Sequence, residues 1–315
     1  MSQVSRSALV LRAPAKVNLT LEVVGRRPDG YHDICTVMQA ITLADELSLR
    51  PAPELSLRCS RPELETPDNL VWRAAMLVRR ETGATQGAAI FLDKRIPIAA
   101  GLGGGSSDAA AALRGLNELW GLGLGPAQLM ELAARIGSDV PFFLLRGGCA
   151  LAEGRGERLT ELPPLPPHWL VLVKPPIGIS AGAVYGAFPR ERWSDCTRTR
   201  AWLAQVRQLG AGRLPDPFND LEEIALQVAP EAARARDALL AAGAPRPVMA
   251  GSGSTFFAVF ESRAEAMAAY RRVPAGGGQD AYLAAFAEPA TEPEPPGTRG
   301  SGPARAGDPG RTVTR

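Results

Sequence analysis

The sequence predicts a protein of mixed helix and strand, on three observations. Residues 8–57 alternate apolar and polar side chains as strands do. A glycine-dense loop near the middle of the chain opens directly into an alanine-rich helix, and the second half interleaves apolar strand runs with helical stretches. At 315 residues the chain is long enough for two modest domains or one large one.

The elements follow in order. Strands are expected at 8–13, 17–24 and 46–50, and Gly25-Arg-Arg-Pro-Asp-Gly30 is a turn by composition. A helix begins near Pro67-Asp68-Asn69, places Leu70, Ala74 and Leu77 on one face, and ends near Gly83. A strand at 88–92 precedes the glycine loop. The helix after the loop runs from about Ser107 to Trp120, and another covers Pro126 to Ile136. Past Gly147 prolines punctuate the chain. A strand at Trp169–Lys174 is followed by helices at 199–208, 219–228 and 230–242. A strand, glycine turn and strand at 247–260, a helix at 263–271 and a short strand near 281–286 complete the pattern. From Glu288 the chain is Pro, Gly, Thr, Glu and Arg without apolar periodicity, which predicts a disordered tail.

Composition narrows the function. A formal charge of +2 with scattered basic residues is no nucleic-acid footprint; the longest basic cluster, Arg190 to Arg200, is interrupted by Glu191 and Asp195. Two histidines, His32 and His168, exclude a His-rich metal site. The N-terminal residues lack the apolar core of a signal peptide, and no segment reaches the roughly 18 apolar residues of a membrane span. The expectation is a cytoplasmic protein with no membrane or nucleic-acid partner, monomeric or a weak homodimer. Cys35, Cys59, Cys149 and Cys196 lie far apart without a C-x-x-C. They read as free thiols of a reducing compartment, with two disulfides as the alternative.

The richest stretch is Pro97-Ile-Ala-Ala100-Gly101-Leu102-Gly103-Gly104-Gly105-Ser106-Ser107-Asp108. Glycine lets the backbone approach a ligand closely, and the helix behind it aims unpaired N–H groups at the loop. That construction suits phosphate. It is not a Walker A loop, because Ser106 rather than lysine follows Gly105, and neither reading frame completes G-x-G-x-x-G. A plain glycine turn before a core helix is the competing account.

Four further segments bear on chemistry. In Ala13-Pro14-Ala15-Lys16-Val17-Asn18-Leu19, a lysine and an asparagine two apart on a strand share a face; a solvated edge strand would explain them equally. Tyr31 and His32 follow a glycine turn and could stack on and hydrogen-bond to a ring, or simply pack beneath a hairpin. Asp139, held between a helix end and Pro141, suits a catalytic carboxylate or a cap. Gly251-Ser252-Gly253-Ser254 is a second close-approach turn or an ordinary hairpin.

Taken together, Pro14-Ala-Lys16, Gly101-Leu-Gly-Gly-Gly-Ser-Ser107 and Gly251-Ser-Gly253 resemble the motifs of the GHMP kinases, small-molecule kinases named for galactose, homoserine, mevalonate and phosphomevalonate. Arg27-Pro-Asp-Gly-Tyr-His32 and Gly137-Ser-Asp-Val-Pro-Phe-Phe143 are similar to the branch whose acceptor carries cytidine diphosphate. The resemblance implies a two-domain α+β fold, divided here as 1–160 and 161–287, with the active site in the interdomain cleft. It implies ATP and Mg²⁺ as cofactors and a cytidine diphosphate-linked methylerythritol as the small-molecule substrate, phosphorylated on its tertiary 2-hydroxyl in the non-mevalonate isoprenoid route.

By the same resemblance Asp139 is the general base and Lys16 its electrostatic partner. Pro97 and Ala100 through Ser107 wrap the ATP phosphates, with Asn69, Leu70 and Lys94 near the adenine. Asn18, Gly251 and Ser252 meet the acceptor, and Tyr31 and Tyr185 sandwich the cytosine while His32 bonds its edge. Ser107 is the expected metal-ligating hydroxyl. Asp108 is a rival base, but in the first turn of a helix its simpler role is N-terminal stabilisation. Ala181 stands where the family pattern carries a threonine, which removes one hydroxyl from the nucleotide region. Homoserine and mevalonate kinases, or a silent nucleotide-binding regulator of the same fold, are the alternatives. Tyr31-His32 argues against the first and the presence of Lys16 and Asp139 against the second.

Overall fold

The computed structural model describes residues 8–209, 212–274, 276 and 278–288; the tail predicted from Glu288 onward otherwise lies outside the described residues. Two long strands organise the N-terminal part, β1 (Leu9–Arg26) and β2 (His32–Ala52), joined by the turn at Arg27–Tyr31. They pair antiparallel along nearly their whole length, with register shifts at Pro14/Ala15, Asn18/Thr20 and Val23/Gly25. The separate strands expected at 8–13 and 17–24 are therefore one. Pro14, which lies between the two expected spans, is accommodated at the first irregularity.

Further strands are β3 (Leu55–Cys59), β4 (Gly87–Asp93), β5 (Cys149–Gly154) and β6 (Arg158–Glu161). The edge of β2 away from β1 pairs with β5 over Ile34–Gln39 and with β4 over Glu46–Ala52. With β3 beside β4, β6 beside β5 and the two-residue β8 (Phe218–Asn219) beside β1, the described residues form a seven-stranded sheet. A second, four-stranded antiparallel sheet has the order β11 (Asp280–Ala285), β7 (Trp169–Lys174), β10 (Phe256–Phe260), β9 (Val248–Met249). All strands before residue 161 belong to the first sheet, and β8 alone crosses from the later chain to join it.

Helices α1 (Leu70–Thr82), α2 (Gly104–Trp120) and α3 (Pro126–Ile136) pack with the large sheet. Helix α1 starts where Asn69 Oδ1 accepts from the Val71 N–H, stops at the left-handed Gly83, and buries Val71, Ala74, Ala75 and Val78. Helix α2 buries Ala109 through Leu113 completely. Its Gly115 lies so close to the sheet that a Cβ there would come 2.7 Å from Leu11 and 2.8 Å from Leu49. Small side chains let this helix lie flat on β1 and β2. Around the second sheet pack α6 (Leu221–Val228), α7 (Ala233–Ala241) and α8 (Arg263–Arg272), while α4 (Ala181–Ala187) and α5 (Thr197–Leu209) lie beside the seam between the sheets.

The cysteine expectation needs correcting. Cys35 on β2 and Cys196, just before α5, form a disulfide across a separation of 161 residues, whereas Cys59 and Cys149 are free. Linear spacing carries no trace of such a pair, because tertiary folding alone brings the two together. Burial pushes the Cys149 thiol up to about 12, so it remains protonated. Closing so long a loop restricts the unfolded chain, and loss of the bond is expected to cost about 2–5 kcal/mol. The Cys35→Ala, Cys196→Ala double variant should therefore melt below the oxidised protein. Alkylation in denaturant without reductant should label Cys59 and Cys149 only; labelling of all four would refute the bond.

Candidate active site

Lys16 and Asn18 share a face of β1, and the Lys16 ammonium donates to Asn18 Oδ1 at 2.8 Å. Asn18 Nδ2 donates in turn to Thr36 Oγ1 at 2.8 Å across the ladder to β2. All three side chains are buried, which excludes a solvated edge strand and fixes where the ammonium points. It points at Asp139, whose Oδ2 lies 3.6 Å away, with the lysine side chain 5% exposed and the aspartate 30%. Gly137 ends α3, and the 3₁₀ turn Pro141–Leu144 anchors the following residues through buried Phe142 and Phe143. Asp139 is thus tied down on both sides and presented to the cleft.

The glycine loop lies against this pair. Lys16 N–H donates to Leu102 O at 2.9 Å, pinning the loop to β1. A Cβ at Gly103 would come 2.9 Å from Phe143 and 3.0 Å from Lys16 Cγ, so only glycine leaves room for the lysine. Helix α2 begins at Gly104, three residues before the predicted start, and Gly103 is its left-handed N-cap. Glycine's low helix propensity hid that first turn. The amides of Gly104, Gly105 and Ser106 lack helical acceptors and face outward from the helix end. Gly101 is glycine for another reason: at φ 75° a Cβ there would sit 2.0 Å from the carbonyl of Ala250. The second glycine turn backs directly onto the first. Gly251 at φ 55° has its own Cβ position 3.0 Å from Gly101 O and 3.4 Å from Lys16 Nζ. Asn219, which the sequence reading passed over, clamps that turn by donating to Met249 O and Gly251 O at 2.8 and 2.7 Å.

A cleft of about 600 Å³ gathers Lys16, Asn18, Tyr31, His32, Gly101, Gly103, Asp139, Tyr185, Gly251 and Ser252. It therefore unites the predicted catalytic pair with the whole predicted acceptor set. Tyr31 is 58% exposed at its rim. The rings of His32 and Tyr185 stack at 5.4 Å, so Tyr185 faces His32 directly, while the Arg155 guanidinium lies 5.0 Å over one face of the Tyr31 ring. Burial first and the Arg26 cation second hold the His32 imidazole below its usual value. A neutral ring offers one donor and one acceptor. Burial, then the charge of Asp139, raise the Tyr185 phenol, which stays protonated. Arg26, Asp29, Met38, Ser138 and Arg155 also line the cleft and were not singled out from sequence. Arg26, Asp29 and Ser138 fall inside segments quoted above, where other residues drew the attention, and Met38 and Arg155 fall outside all of them.

The predicted adenine residues stand outside this cleft. Leu70 approaches the loop, 3.6 Å from the Cβ position of Gly105. Asn69 is engaged at both ends, capping α1 and donating to Leu64 O at 2.9 Å. Lys94 lies beneath the loop, its ammonium paired with Asp45 and 2.9 Å from Asp108 Oδ2. Asp45 also accepts from the Arg95 and Ile96 N–H groups. Two carboxylates share one cation here. Desolvation chiefly, and the neighbouring Asp45, push Asp108 up to about 8. Asp108 is thus a buried partner of Lys94 and does not line the cleft that holds Asp139.

Models described as the GHMP kinases N terminal domain and the GHMP kinases C terminal match residues 69–147 and 200–279. A 4-diphosphocytidyl-2-C-methyl-D-erythritol kinase of Pelotomaculum thermopropionicum is 49% identical over 82% of this chain and 93% of its own. The chain belongs to the 4-diphosphocytidyl-2-C-methyl-D-erythritol kinases, a branch of the GHMP kinases. A crystal structure of a 4-(cytidine 5'-diphospho)-2C-methyl-D-erythritol kinase superposes with a TM-score of 0.75 at 37% identity, over 88% of this chain and 99% of that one. Homoserine kinase from Cytophaga hutchinsonii, at 20% identity over 92% of this chain and 97% of its own and a TM-score of 0.65, shares the fold alone. For this GHMP kinase the two-sheet α+β architecture and its kinase class are accordingly established. No helix among the described residues is long and apolar enough to cross a membrane.

Proposed function

We propose that this kinase transfers the terminal phosphoryl group of ATP to the 2-hydroxyl of 4-diphosphocytidyl-2-C-methyl-D-erythritol. One observation carries the reading: the aromatic group Tyr31, His32 and Tyr185 lines the same cleft as the Lys16–Asp139 pair. A base-binding platform has no use in a kinase for mevalonate or homoserine, which carry no base.

The roles follow from position. The free amides at the start of α2 and the glycine loop hold the phosphates. A tertiary alcohol is a crowded nucleophile, and Asp139 takes its proton as the new bond forms. Lys16, oriented by Asn18, stabilises the charge growing on that oxygen, and positioning supplies most of the rest. Lys94 acts from beneath, setting the height of the loop. Mg²⁺ fits at Ser107, whose Oγ is buried without a hydrogen-bond partner among the described residues. When bound there the cation neutralises phosphate charge.

ADP release from ATP and Mg²⁺, measured with the cytidyl substrate, mevalonate and homoserine in parallel, tests the assignment. Turnover confined to either of the last two would overturn it. Tyr31→Ala should weaken the cytidyl substrate by about 1–3 kcal/mol, read as a raised KM. The exposed position of Tyr31 predicts an unchanged melting temperature; an unchanged KM would sink the stacking role.

A further inference from the structure

In the hairpin between β5 and β6, Gly154 and Gly156 both have positive φ, at 69° and 106°, and Arg155 sits between them. The turn is held by the Arg155 N–H, which donates to Glu157 Oε2 at 2.6 Å. It touches both ends of the acceptor cleft. On one side the Arg155 guanidinium lies 5.0 Å above the Tyr31 ring. On the other, the Cβ position of Gly156 is 3.5 Å from Asp139 Oδ1. Arg155 Nε is buried with no hydrogen-bond partner among the described residues, and the nearby carboxylate of Asp29 feels the guanidinium charge without a hydrogen bond to it. Lys16, by contrast, is already engaged by Asn18 and Asp139.

A cytidyl acceptor has its base at the aromatic platform and its reacting hydroxyl at Asp139. The diphosphate joins the two and has to pass between them. We infer that Arg155 grips this diphosphate and so decides that the acceptor is a nucleoside diphosphate conjugate and not a bare nucleoside. The inference rests on the acceptor proposed above. Stacking on Tyr31 keeps the planar guanidinium in place, leaving its N–H groups to face the phosphate oxygens. Arg26 lines the same cleft, but on β1 beside His32, at the base end.

The test compares CDP and cytidine as competitive inhibitors against the cytidyl substrate, in wild type, Arg155→Ala and Arg155→Lys. Charge-assisted hydrogen bonds of ordinary strength predict that Arg155→Ala loses about 10- to 100-fold in CDP affinity. Cytidine inhibition and the KM for ATP should move far less, so the CDP-to-cytidine preference collapses, and the lysine variant should recover part of it. A merely structural arginine would weaken both inhibitors together and lower the melting temperature. An unchanged preference in Arg155→Ala, with wild type still turning over the cytidyl substrate, overturns the inference alone. A wild-type chain that neither CDP nor cytidine inhibits overturns the acceptor assignment itself.

Discussion

Asp139→Asn is expected to lower kcat by about 100- to 10,000-fold, the range a positioned general base supplies. The amide keeps the shape of the carboxylate and can still meet Lys16, which lies 3.6 Å away in the wild type, but it cannot accept a proton from the alcohol. The glycine loop proposed to hold phosphate is pinned by the Leu102 carbonyl and by the turn at Ala250 rather than by Asp139. The KM for ATP should therefore stay near the wild-type value. Single-turnover measurements at saturating substrates isolate the chemical step. A variant within tenfold of wild type would move the base elsewhere.

Lys94→Met should produce the largest loss of stability, about 3–5 kcal/mol, the cost of stranding a buried charge whose partner is removed. Asp45 and Asp108 face that ammonium, and all three side chains are at most 5% exposed. The loss should also depend on pH. Unfolded, Asp108 releases its proton near 3.8, and folded at about 8. Between these values the native chain holds a proton that the unfolded chain lacks, so this group's contribution falls as pH rises from about 4 towards 8. Lys94, raised above its ordinary value, stays charged throughout and limits that fall in the wild type. Without it Asp108 must stay protonated to a higher pH, and the gap between variant and wild type should be wider at pH 8 than at pH 5. Urea titrations at the two pH values would measure it. Equal gaps would remove the buried triad as the cause.

What the sequence made legible was local or periodic. Helix α1 carried its start and stop signals in its own letters, Asn69 and Gly83, and appeared within a few residues of its predicted span. The two-residue period of β1 was enough to place Lys16 beside Asn18, and family motifs drew Asp139, Tyr31 and Gly251 to one place. The strands β5 and β6 escaped notice, being short and set among glycines and charges that read as loop. The first turn of α2 escaped because glycine argues against helix. Contacts between distant segments left no mark at all. Asp45, Lys94 and Asp108 come from three separate stretches of chain, Cys35 finds Cys196 across the fold, and Arg155 meets Tyr31 only once β5 has paired with β2.

The back-to-back glycine turns bear on how such an enzyme can change over time. Gly101 belongs to the glycine loop before α2 and Ala250–Gly251 to a turn of the other sheet, yet each leaves no space for a side chain on its counterpart. The two halves are therefore not interchangeable modules, one contributing a donor seat and the other an acceptor seat. New acceptor preferences can arise at the rim, where Tyr31 and the β5–β6 hairpin stand clear of this seam. The seam itself can be inherited only as a matched pair.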